Sequence, residues 1–157
     1  MGVTSLRAEV SGNTVVPDEV HGHTAVSAPA VPDKVEILAL VERALSWDLD
    51  NSALPPVEDA LELAKWFTAY GRIVAADLDV LLSDIPTDSH VGGGAQATLS
   101  EAGRRLTLKP LAPTAAPRSA ARRTQNLARL IQALNRAVGR IGEEQVRSRP
   151  GGPPQRR

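Results

Sequence analysis

The 157-residue chain contains no cysteine. That excludes disulfides, thiolate metal sites and a cysteine nucleophile, and it agrees with a reducing, cytoplasmic setting. Aromatic residues make up only 3% of the chain. All four of them, Trp47, Trp66, Phe67 and Tyr70, fall within one stretch, so any aromatic core has to be built there. No apolar run approaches the ~20 residues of a membrane-spanning helix. The opening MGVTSLRAEVSGNTVV lacks the apolar segment and cleavage pattern of a secretory signal. Leu6 stands where an N-myristoylation signal needs Ser or Thr.

Catalytic patterns are missing too. Asp77 and Asp79, two apart on a helix, point to different sides and do not form a carboxylate pair. The glycines Gly92, Gly93 and Gly94 are followed by no Lys-Ser/Thr, so they are not a phosphate loop. His90 has no nucleophile or orienting carboxylate placed beside it by the sequence. His21-Gly22-His23 offers two metal ligands where zinc needs three or four. The expectation is therefore no catalytic residue, no cofactor and no metal site.

What is present is helical periodicity. The chain divides into an N-terminal arm (1–32), a helical domain (33–141) and a basic tail (142–157). The arm is rich in Val, Thr, Ser, Pro and Gly without a helical period, and it reads as disordered, as does the Pro/Gly/Arg-rich tail. Between them the spacing predicts an all-α fold, a small antiparallel bundle of about four helices. Asp33 caps the first helix, with Glu36 completing a capping-box pattern. That helix is expected to stop near Trp47–Leu49. A short connection then makes a hairpin with the second helix.

The second helix, over Pro55–Ser83, is the longest periodic run, and the other elements are expected to pack on it. Pro55 and Pro56 suit its first turn. Gly71 inside it costs about 1 kcal/mol relative to Ala, which points to a close helix neighbour or a bend. Ser83–Gly94 reads as a loop, and a third helix as Ala95–Leu108. KPLAPTAAP reads as a linker ordered only in part. The fourth helix is expected over Arg118–Ile141. The core candidates are Leu38, Val41, Leu45, Leu61, Val74, Leu78, Leu99, Leu106, Leu127, Leu134 and Val138.

The formal net charge of zero conceals an asymmetry. Residues 33–113 carry seven Lys or Arg against thirteen acids, whereas residues 114–157 carry ten Arg against two Glu. In the fourth helix, Leu127, Leu130, Ile131, Leu134, Val138 and Ile141 fall on one face. Arg118, Arg122, Arg129, Arg136 and Arg140 fall on another, roughly 150° away at about 100° per residue. Three roles compete for that arginine face. It is solvated and pairs with acids of the other helices, or it binds nucleic-acid phosphates, or it docks an acidic protein partner or an anionic surface. A third helix thin in apolar residues also leaves room for a homo-oligomer.

Three segments carry a family resemblance. They are Leu54-Pro55-Pro56-Val57-Glu58, then Glu101-Ala102-Gly103-Arg104-Arg105-Leu106, and then Ala121-Arg122-Arg123 followed by Leu127-Ala128-Arg129-Leu130-Ile131-Gln132-Ala133-Leu134. Their order and spacing resemble the small alanine- and arginine-rich helical proteins of actinobacteria that carry a domain of unknown function, often labelled as associated with natural product biosynthesis. The resemblance covers roughly residues 35–141. It implies an accessory role beside a biosynthetic pathway and supplies no catalytic residue. The function expected is a non-enzymatic accessory or protein-interaction bundle. The alternative is a nucleic-acid-binding regulator that uses the same arginines and the Arg147–Arg157 tail.

Overall fold

Capping and turn chemistry set the first boundaries. In the computed structural model, which describes residues 31–86 and 88–149, Asp33 Oδ1 accepts from the Glu36 backbone N–H at 2.9 Å and starts helix α1 (Lys34–Leu45). Ser46 ends it, its hydroxyl donating to the Arg43 carbonyl at 2.7 Å. Asp48 and Asn51 then accept from the backbone N–H groups of Asp50 and Ala53, side-chain turns that compete with helix.

Helix α2 (Val57–Ser83) follows, with Pro56 as its N-cap. The two prolines thus lie just ahead of the helix rather than inside its first turn. With φ of −51° and ψ of 141°, Pro56 is extended while its carbonyl already accepts from Ala60 N–H at 3.1 Å. Its 27 residues make a rod of about 40 Å.

The glycine run is not a loop. Helix α3 (His90–Leu106) begins four residues earlier than the triplet ends, and Gly92, Gly93 and Gly94 all lie within it. Ser89 supplies the reason. Its hydroxyl accepts from Gly92 N–H at 3.3 Å and its carbonyl from Gly93 N–H at 2.9 Å, so a good N-cap outweighs poor glycine propensity. Gly92 also suits the packing, since a Cβ there would lie a tight 3.2 Å from Ile85 Cγ2.

The linker after α3 is tied down at its start by two arginines from different helices. Arg72 of α2 donates to the Leu106 carbonyl at 3.1 Å, and Arg123 to that of Lys109 at 3.2 Å. An Ala115 N–H to Ala112 carbonyl turn then leads into helix α4 (Pro117–Ser148), with Pro117 in its first turn. This linker is therefore described throughout, where the composition suggested partial order. α4 also runs past Ile141 to Ser148. Arg147 pairs with Glu143 at 3.5 Å and Glu144 at 3.2 Å, spacings that support a helix.

Four helices and no strand form the described residues, and they pack as a bundle. α2 and α4 are its most extensive pair, and each also touches both α1 and α3. The centre is therefore shared, rather than belonging to α2 alone. α1 leans mainly on α4 and only lightly on α2, so the expected α1–α2 hairpin is a loose one.

Polar ties record the directions. Thr124 of α4 donates to the Ala60 carbonyl of α2 at 2.7 Å, and further along both helices Asn135 lies beside Tyr70. α2 and α4 therefore ascend together. Gln125 bonds the α1 end at the Ala44 and Trp47 carbonyls (3.0 and 2.8 Å), whereas Gln132 bonds Glu42 earlier in α1 at 3.1 Å. α1 therefore runs against α4. Leu106 at the end of α3 meets Gly71 in the middle of α2, while Ile85 just beyond α2 meets Gly92 at the start of α3, so these two run oppositely.

The core holds Ile37, Phe67, Leu78, Ile131, Leu134 and Ile141, all at 1% exposure or less. Val41, Val74, Leu78, Leu106, Leu127 and Leu134 are buried as expected, and Leu45, Leu99 and Val138 pack at its edge. Leu38 is a correction, being half-buried and outside the cluster, with its neighbour Ile37 taking the inward position. Leu61 is also half-buried, and lines an open groove. Gly71 admits close approach, since a Cβ there would come to 2.9 Å from Leu106 Cδ2. The expected arm over residues 1–30, with His21 and His23, and the tail from residue 150 lie outside the described residues.

Candidate interaction surface

α4 is buried around most of its circumference, because three helices pack on it. Ala120, Thr124, Leu127, Ile131 and Leu134 are buried on the core side, and Ala121, Gln125 and Ala128 towards α1. One narrow strip is left for solvent, and arginines occupy it. Arg118, Arg122, Arg129, Arg136 and Arg140 are all exposed. At about 100° per residue they fall within a ~40° arc, and at 1.5 Å per residue they extend over about 33 Å.

Among the described residues none of the five is ion-paired with a carboxylate. The expected pairing with acids of other helices is not formed. Arg129 Nη1 donates to Asn126 Oδ1 at 3.3 Å, a neighbour on its own helix. The acids that do pair are satisfied locally. Glu62 binds Lys65 at 3.3 Å, and Glu101 binds Arg104 and Arg105. The hydrogen bonds from Arg104 and then Arg105 hold the Glu101 carboxyl below its ordinary value.

The arginine line borders a surface groove that the sequence reading did not anticipate. Towards the α4 C-terminus, Gly94, Ala95, Ala133 and Ala137 make the floor of a recess of about 310 Å³, with His90, Arg136 and Arg140 on its rim. One turn on, Ala97, Thr98 and Ala133 floor a second recess of about 320 Å³, rimmed by Arg105, Arg129 and Glu101. Together they make a shallow trough between α3 and α4, with small residues below and guanidinium groups above. The available signal is the Gly and Ala content of α3, whose small side chains leave a low surface beside α4. Arg105 was missed because it is on a different helix from the line it joins.

A second groove, of about 520 Å³, lies on the other side, between α2 and the linker. Leu61, Ala64, Leu108, Leu111 and Leu127 form its apolar part. Its arginines, Arg72 and Arg123, are engaged in holding the linker carbonyls.

Among the described residues, Tyr70 is the buried group with a raised pKa. Burial pushes the phenol up and the Asp77 carboxylate adds to this. The Asn135 amide beside it acts in the opposite sense, although its Nδ2 is buried without meeting the geometry of a hydrogen bond. Trp66 Nε1 is likewise buried and unpaired. These groups face no nucleophile and make no catalytic set. Among the described residues there is no cluster of three metal-ligating side chains, and no helix is long and apolar enough to cross a membrane. Comparison with family models, with curated proteins and with solved structures finds no match.

Proposed function

We propose that this protein is a non-enzymatic interaction module whose docking surface is the α4 arginine line together with the α3–α4 trough. The partner is an acidic, amphipathic protein helix. One observation carries this reading: five exposed arginines share a ~40° arc of one helix, and none has a carboxylate partner among the described residues. An acidic helix laid in the trough would place apolar side chains on the Gly/Ala floor and carboxylates on the guanidinium rim. This is the helix-in-groove mode of recognition. Arginine suits it, because its planar fork binds carboxylates in pairs of hydrogen bonds. The accessory role beside a natural-product pathway that the family resemblance implies fits such a module.

The line's surroundings favour protein over nucleic acid. Glu42 stands on α1 at Gln132, beside the line, and Glu101 stands in the trough. They interrupt the positive surface that a continuous row of phosphates needs, whereas a helix can set neutral side chains opposite them. α1 and α3 flank α4, so it does not project as a groove-reading helix would. The test is fluorescence anisotropy with two labelled probes, a Glu/Leu amphipathic helical peptide and a mixed-sequence DNA duplex. Peptide binding that weakens at least tenfold in R129Q/R136Q/R140Q is the expected result. DNA binding with a steep log-salt slope, and no peptide binding, would replace this reading with the nucleic-acid one.

A further inference from the structure

Two sets of charges in this bundle oppose the dipoles of their own helices. α4 has no acid in its first turn and carries Arg118 there, with Arg122 and Arg123 in the next. α2 has no base in its last turn, and Asp79 and Asp84 bracket that turn. A helix favours the reverse at each end, typically by about 0.3–1 kcal/mol per charge. Helix stability therefore does not account for these residues. The two sets are also complementary in sign.

They cannot meet within one molecule. Thr124, which reaches α2, lies about 140° round α4 from the arginine line, so the line points away from α2. We propose that the acidic helix received by the α4 line is α2 of a second copy of this chain. This inference rests on the docking reading above and names its partner.

The stripe on α2 has the required character. Asp59, Glu62, Ile73, Asp77 and Val80 fall within a ~60° arc, and Asp84 caps its end. Ile73 and Val80 are 53% and 67% exposed, apolar residues for which this copy has no use. Acids thus flank an apolar centre. The midpoints of its two acidic groups are about 30 Å apart along α2, and those of Arg118/Arg122 and Arg136/Arg140 about 27 Å apart along α4. An antiparallel docking sets Arg118 and Arg122 against Asp77 and Asp84, and Arg136 and Arg140 against Asp59 and Glu62. It also joins the positive end of one helix dipole to the negative end of the other. In that register Ile73 comes level with Asn126, and the half-buried Trp66, on the same arc, comes level with the trough floor at Ala133. A Cβ at Gly94 in that floor would meet nothing within 4 Å, so packing inside this copy does not require the glycine.

Such a contact is heterologous: each copy offers an acceptor on one face and a donor on another. Assembly is therefore open-ended unless the rotation closes a ring. Sedimentation velocity of the full chain tests it. At low salt the mass should rise with concentration past that of a dimer, and at high salt it should return to the monomer. R129Q/R136Q/R140Q alone and D59N/D77N/D84N alone should remain monomeric. All six positions are exposed, so circular dichroism should show both variants fully helical. Mixed in equal amounts, each brings one intact face, and they should form a 1:1 heterodimer and nothing larger. A wild-type monomer at every concentration in low salt overturns the inference, as does a mixture that stays monomeric while the wild type assembles. Wild type that binds the acidic peptide yet stays monomeric sinks this inference and leaves the docking reading in place. Wild type that does neither sinks both.

Discussion

Thr124 and Gln125 lie one turn from Arg129 on the same helix, and the two sets of polar side chains are treated in opposite ways. The inward pair is tied into the fold. Thr124 donates to the Ala60 carbonyl at 2.7 Å, and Gln125 to the carbonyls of Ala44 and Trp47 at 3.0 and 2.8 Å. Each joins α4 to a different helix, and each is at 3% exposure or less. Among the described residues the outward set of five arginines has no carboxylate partner and ties α4 to no other helix. Burial without a partner is costly, so inward polar groups are answered within the fold. Exposure exacts no such demand, and the answer to the arginines is left to whatever docks there. Polar residues on α4 thus divide into those that specify the bundle and those that the bundle merely displays.

Substitution on the inward side gives the largest effects. Leu134 is fully buried, and Leu134→Ala should lower stability by about 2–5 kcal/mol through lost transfer energy and the cavity left behind. Urea unfolding would read this as a fall in midpoint at unchanged slope. Gln125→Ala should cost about 1–3 kcal/mol, because the Trp47 carbonyl loses its side-chain donor and α1 loses its polar anchor. The Ala44 carbonyl retains the Trp47 N–H at 3.3 Å, which limits the loss. If Gln125→Ala unfolded at the wild-type midpoint, the inward polar pair would be no more structural than the arginines and the contrast would collapse.

Much of that inward side was legible in the sequence. The Leu/Ile stripe of α4, the Asp33 cap and the close approach at Gly71 follow from periodicity and local chemistry. Thr124 and Gln125 were not legible. They are polar by type, and only the positions of Ala60, Ala44 and Trp47 turn them into core residues. The α3 glycines misled for a similar reason, since propensity disfavours them while a Ser89 cap and an Ile85 neighbour decide the outcome. The arginine line could be read directly, because a 3.6-residue period is a property of one helix. The trough beside it needed two helices, and pairing across sequence distance leaves no local trace.

Tyr70 of α2 lies on the inward side beside Asn135, and its titration is a weaker probe of the contrast. Its pKa is raised by burial first and by Asp77 second. The folded chain thus holds the phenolic proton at a pH where the unfolded chain has released it. The stability this contributes is complete below the ordinary tyrosine pKa near 10 and declines as pH rises beyond it. Tyr70→Phe should therefore flatten the alkaline limb of a stability profile and leave the neutral region comparatively unaltered. Asp77→Asn should shift the phenol downward without removing the effect, since burial is its larger cause. An alkaline limb identical in Tyr70→Phe and wild type would show that the phenol is not held by the fold.

The smallest effect is the one that bears most directly on function. Arg118 stands in the first turn of α4, against the positive end of the dipole, exposed and without a carboxylate partner among the described residues. Arg118→Glu should therefore raise the stability of the monomer by about 0.3–1 kcal/mol, taken as the gain at low salt minus the gain at high salt to isolate the charge. It should at the same time weaken docking, because it puts a carboxylate at the end of the line that receives an acidic partner. Gain of stability with loss of binding is the signature of a residue kept for its surface and not for its fold. A loss of stability would mean that Arg118 holds the bundle in some way its exposure does not reveal, and the line would then begin at Arg122. Equal stability and equal binding would reduce Arg118 to solvated charge and shorten the docking surface to the stretch beside the α3–α4 trough.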